Sequence, residues 1–158
     1  MKNFPLAKEI LRLRSLGPDW NRFGELGLQD SYPLSGREIL MTSVSSLEEL
    51  ASETCVERKG IPPMARPEAE RLLRVLPGWI LSGGSIEKEF HFKSHLDGVD
   101  FAYSVGKIAE EQDHHPDILI KWRRVKLTLS THSVKGLSEN DFIVAAKSEL
   151  KYRESGFG

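Results

Sequence analysis

Trp79-Ile80-Leu81-Ser82-Gly83-Gly84-Ser85-Ile86-Glu87-Lys88-Glu89-Phe90-His91-Phe92 reads as two extended arms about a glycine pair. Apolar runs flanking a Ser-Gly-Gly-Ser turn are a β-hairpin signal. In the second arm Ile86, Lys88, Phe90 and Phe92 share one face, and Glu87, Glu89 and His91 share the other. One side is therefore apolar except for a single lysine. A second hairpin follows, with Ile118 to Trp122 and Val125 to Thr131 as strands joined by a tight turn at Arg123-Arg124.

The segments around these hairpins carry helical periodicity. Pro67 suits a first helical position, and Ala69, Leu72, Leu73 and Leu76 then form one stripe that Pro77-Gly78 closes. Asp97 can cap a helix running to about Gln112, with Phe101, Ala102, Val105, Ile108 and Ala109 as its buried side. Ser138 and Asp141 have capping-box spacing at the start of a last helix, whose apolar side is Phe142, Ile143, Ala145, Ala146 and Leu150. Upstream, Ser46 and Glu49 repeat that spacing beside Leu47, Leu50 and Ala51, and Gly60 with Pro62-Pro63 marks Thr54 to Met64 as a loop. The order predicts an α+β fold: an antiparallel sheet of about four strands built from two hairpins, with about three helices packed on one face.

Residues 1–45 fit neither pattern. Gly17-Pro18, Gly24, Gly27, Pro33 and Gly36 interrupt them, and only Phe4 to Leu16 could form a short helix. They read as an N-terminal extension, poorly ordered or upstream of a start at Met41, ahead of a domain over residues 46–155. Acids Glu9, Asp19, Glu25, Asp30 and Glu38 argue against a transit peptide, and there is no apolar core of a secretory signal.

With 39% hydrophobic and 28% charged residues and a formal charge of -1, the chain has the composition of an ordinary globular domain. Its lysines and arginines are scattered rather than arranged as the basic stripe that phosphate neutralisation needs, so direct nucleic-acid binding is not expected. No apolar run approaches the roughly 20 residues that span a bilayer, so no membrane association is expected either. The single Cys55 leaves no partner for an internal disulfide, a reducing compartment is compatible, and the expected location is the cytoplasm.

Chemistry concentrates at Asp113-His114-His115-Pro116-Asp117. Two adjacent imidazoles can hold a proton donor beside an acceptor near neutral pH. Pro116 disfavours helix at His115, so the pair stands where helix becomes strand. Glu110, four residues before His114, shares its helix face if the helix persists, and alternation places His132 opposite the core face of its strand. If that face meets the helix end, three imidazoles and a carboxylate converge. Helix-end electrostatics is a lesser rival explanation of the two histidines in isolation, and Glu110, Trp122, His132 and Asp141 each have an ordinary structural explanation alone. A metal site is the rival functional reading, disfavoured because consecutive residues rarely put both rings on one ion and no His-x-x-x-His spacing occurs. Ser130 and Thr131 beside His132 lack the glycine-flanked elbow of a nucleophile.

Taken in order, Glu110, three residues, His114-His115-Pro116, five residues, Trp122, nine residues, His132, eight residues, Asp141 resembles the motif of the pterin-4a-carbinolamine dehydratases. Pro77-Gly78-Trp79 and the run Leu129-Ser130-Thr131-His132 into Gly136-Leu137-Ser138 add to the likeness, which covers about Leu47 to Tyr152. Ile118 stands where some members carry Trp, and Arg123 where many have Asn in the hairpin turn, which puts the turn type in question.

The resemblance implies dehydration of 4a-hydroxytetrahydrobiopterin, or a related pterin carbinolamine, to the quinonoid dihydropterin and water, without cofactor or metal. It implies acid/base roles for His114 and His132 with His115 assisting. Glu110 would hold an imidazole or bind the pterin's amino-pyrimidine edge, Trp122 would wall the flat ring, and Asp141 would orient His132 or support the site. It also implies a homodimer or homotetramer. Other roles open to the same fold are a non-catalytic dimerisation partner of a transcription factor and a pterin-handling helper in molybdopterin metabolism.

Overall fold

The computed structural model describes residues 44–156. The expectations for the N-terminal extension, including the helix over Phe4 to Leu16 and the start at Met41, lie outside the described residues. Four α-helices occur among the described residues: α1 (Leu47–Ser52), α2 (Arg66–Leu73), α3 (His95–Gln112) and α4 (Glu139–Glu154). Four strands, β1 (Ile80–Ser82), β2 (Ser85–His91), β3 (Asp117–Lys121) and β4 (Arg124–Leu129), make one antiparallel sheet in the order β1-β2-β4-β3. The α+β expectation holds.

The first hairpin closes at Gly83-Gly84, with Ser82 opposite Ser85. Gly83 has φ +61°, at the position where a type II′ turn requires glycine. The second hairpin turns one residue earlier than the sequence suggests, at Trp122-Arg123, because Lys121 pairs with Arg124. Arg123 takes φ +56°, a conformation arginine resists. Phe92 holds it there: its N–H donates to the Arg123 carbonyl at 2.9 Å, and Arg123 Nε donates to the Phe92 carbonyl at 3.1 Å.

Sheet register puts Ile86 and Phe90 across from Leu129 and Val125, all buried beneath the helices. The opposite face is ionic and solvated, where Lys126 pairs with Glu87 and Arg124 with Glu89. Helix α3 begins at His95, two residues before Asp97. Ser94 is the N-cap, and Asp97 is the carboxylate that reaches back to its N–H at 3.0 Å. Helix α4 is buried nearly all round rather than along one stripe, since α1 and α3 both pack on it and the loop over 54–64 covers its start. Asn140 ties that loop down by accepting from the Val56 N–H and donating to the Val56 carbonyl, while the Met64 N–H donates to the Leu137 carbonyl. Among the described residues no helix is long and apolar enough to cross a membrane.

Candidate active site

Helix α3 stops where Asp113 adopts a left-handed conformation (φ 48°, ψ 41°), one that aspartate tolerates better than most residues. The N–H groups of Asp113 and His114 then turn back onto the carbonyls of Glu110 and Ala109. That reversal tucks His114 inside, 9% exposed, while Pro116 keeps His115 extended at the surface. The adjacent imidazoles therefore face different surroundings.

His114 Nε2 lies 2.7 Å from Asp141 Oδ1, and Asp141 is fully buried. The other carboxylate oxygen accepts from the Ser138 N–H and from Thr131 Oγ1, both at 2.8 Å. Because the Thr131 hydroxyl donates to Asp141, Ser138 Oγ is the donor in the 2.7 Å contact between the two hydroxyls. One carboxylate thus joins the end of α3, the exit of β4 and the start of α4. Its bond to Nε2 fixes the orientation of His114 and leaves Nδ1 as the free nitrogen. Among the described residues Nδ1 has no hydrogen-bond partner.

His115 Nε2 lies 2.8 Å from Glu110 Oε1, with the two side chains 55% and 79% exposed. Glu110 therefore holds the second imidazole rather than His114: the i,i+4 geometry on which the first pairing relied lapses where Asp113 ends the helix. His132 is also placed differently. Strand β4 ends at Leu129, and His132 opens a short 3-10 turn (His132–Val134), exposed, one residue beyond the Thr131 that shares Asp141 with His114. Asp141 orients His114, not His132.

A cavity of about 390 Å³ adjoins His132, lined by Gly84, Ser85, Ser130, Thr131, His132, Lys135 and Gly136. The expected convergence of three imidazoles and a carboxylate resolves into a buried His114–Asp141 pair, a surface His115–Glu110 pair and His132 on the cavity wall. Trp122 is not beside them. It is 75% exposed at the far end of the second hairpin, stacked on His95 with ring centres 6.0 Å apart. Four strand steps separate Asp117 from Lys121, roughly 13 Å of chain, so Trp122 and His114 stand at opposite ends of β3. Among the described residues no three of His, Cys, Asp and Glu are grouped as metal ligands. Sequence reading overlooked the supporting part of Thr131 and Ser138; the capping-box spacing of Ser138 and Asp141 was the available signal for one of them.

The sequence profile described as pterin 4 alpha carbinolamine dehydratase matches residues 62–150, a span that holds every one of these side chains. The chain belongs to that family. Two similar relatives are named as pterin-4-alpha-carbinolamine dehydratases. That of Rubrobacter xylanophilus is 45% identical over 103 residues, covering 64% of this chain and 96% of its own length. That of Cupriavidus pinatubonensis is 46% identical over 107 residues, covering 65% of this chain and 92% of its own. A crystal structure from Brucella melitensis, described as a transcriptional coactivator/pterin dehydratase, superposes with a TM-score of 0.54 at 33% identity, covering 56% of this chain and 96% of that one. Dehydratases are hydro-lyases, and the chain is a member of this enzyme family.

Proposed function

We propose that this protein dehydrates a pterin 4a-carbinolamine, such as 4a-hydroxytetrahydrobiopterin, by histidine acid/base catalysis within tetrahydrobiopterin recycling. The carrying observation is the buried His114–Asp141 pair with Nδ1 left without a hydrogen-bond partner. In the reaction the C4a–O bond breaks as the oxygen takes a proton and leaves as water, while N5 gives up its proton and forms the new double bond with C4a. Neutral His114, with its proton on Nε2 toward Asp141, presents a lone pair at Nδ1 and takes the N5 proton. The Asp141 carboxylate then stabilises the imidazolium, as in other Asp–His pairs. His132 donates to the departing oxygen, and hydroxide is a poor enough leaving group to need that donor. His115, paired with Glu110 at the surface, plays the lesser part. Self-association goes with this reading. β3 lies at the edge of the sheet, and Leu119 and Ile120 on it are 50% and 41% exposed.

Replacing His114 or His132 by Ala should slow carbinolamine decay by roughly 10² or more, followed by stopped-flow absorbance with purified protein. His115→Ala should cost less than either. Full turnover in both H114A and H132A would remove the catalytic assignment and leave a binding protein on the same fold.

A further inference from the structure

The cavity beside His132 is unusual in its charge. Its lining offers the Lys135 ammonium, the His132 imidazole and the Ser130 hydroxyl, without any acid, while the Ser85 and Thr131 hydroxyls already donate to the Ser82 carbonyl and to Asp141. Asp141 keeps its charge behind Thr131, but its oxygens are taken up by His114, Thr131 and Ser138 and do not line the cavity. Lys135 is exposed, makes no ion pair among the described residues, and caps the 3-10 turn with φ +55°. A lysine in that left-handed conformation costs more than a glycine would, and such a cost at a site wall points to a use for the side chain. The cavity lining includes His132 but neither His114 nor His115. His132 thus links the proposed reaction site to the cavity, within reach of a ring substituent.

We propose that this cavity binds an anionic substituent of the pterin, a phosphate ester on the C6 side chain, with Lys135 as the residue that selects it. The inference rests on the pterin-dehydratase reading above and departs from it in one respect, a phosphorylated C6 side chain in place of the neutral tail of 4a-hydroxytetrahydrobiopterin. An ammonium beside an imidazole and the Ser130 hydroxyl suits a phosphate, and a neutral dihydroxypropyl tail would leave the charge unused. The experiment compares the affinity of a reduced pterin carrying a side-chain phosphate with that of its dephosphorylated counterpart, by calorimetry at fixed ionic strength. The native chain should bind the phosphorylated form about tenfold more tightly, as one charge-assisted contact at a partly open site provides. Inorganic phosphate should compete with that form alone. Lys135→Gly, which also relieves the backbone, should collapse the ratio toward one, and Lys135→Arg should keep it. Equal affinities in the native chain, or a ratio that survives in K135G, would overturn the proposal while leaving the pterin reading intact. Binding of neither pterin would overturn both.

Discussion

Asp141 carries more of this site than any other residue, because one carboxylate satisfies an imidazole, a hydroxyl and a main-chain N–H while fully buried. Asn has nearly the same volume but replaces one oxygen with an amide NH2, a donor that can accept neither from Thr131 nor from His114. Asp141→Asn should therefore lower kcat by roughly tenfold to hundredfold by releasing the His114 tautomer. It should also cost about 1–3 kcal/mol of stability, from a buried donor left without its acceptor. Nitrogen chemical shifts of His114 would show the lost preference for a proton on Nε2, and an unchanged spectrum with full kcat would sink the positioning role. The histidines themselves were legible, since two imidazoles before a proline resist a packing explanation. Their partners were not. The spacing of Glu110 to His114 obeys a rule that holds only inside a helix, and a single left-handed residue, Asp113, hands Glu110 to His115 and His114 to a side chain 27 residues on.

At the level of elements, both hairpins and the helix stripes could be read from local chemistry, because alternation, glycine pairs and capping boxes act over a few residues. What escaped was the coil between them. The turn after β4 packs under the loop over 54–64 so closely that a Cβ on Gly136 would stand 2.7 Å from Pro63 Cβ. Neither residue advertises the other in sequence. Gly136 also exchanges main-chain hydrogen bonds with Thr131, whose hydroxyl supports Asp141. Gly136→Ala must push the proline loop or the turn aside, an overpacking that costs about 1–3 kcal/mol. Since the turn holds both His132 and Thr131, kcat should fall with it. A variant as stable and as active as the parent would show that the loop yields freely and that the turn does not depend on it.

Across the whole molecule, the lysine that broke the apolar face of β2 finds its reason in the last helix. Lys88, with a side chain 15% exposed, donates to Glu149 Oε2 at 2.6 Å and to the Pro77 carbonyl at 2.7 Å, and lies 4.7 Å from the centre of the Phe90 ring. Glu149 is 3% exposed and also accepts from Trp79 Nε1 at 3.4 Å, so the pair binds sheet, connecting loop and α4 together. Arg153 is the only other cation paired with Glu149 among the described residues, and it stands off at 3.8 Å. Removing one partner of a buried pair strands the other, whereas removing both removes the desolvation cost as well. Lys88→Met should thus lose about 3–5 kcal/mol in urea unfolding, at the lower end because Arg153 remains. Adding Glu149→Gln, which keeps an acceptor for Trp79, should restore most of that loss. The resulting coupling energy should exceed about 1 kcal/mol. If the two substitutions simply add, the pair is not what joins the hairpin to the helix, and the apolar contacts around Trp79, Phe90 and Phe101 hold the two layers without it.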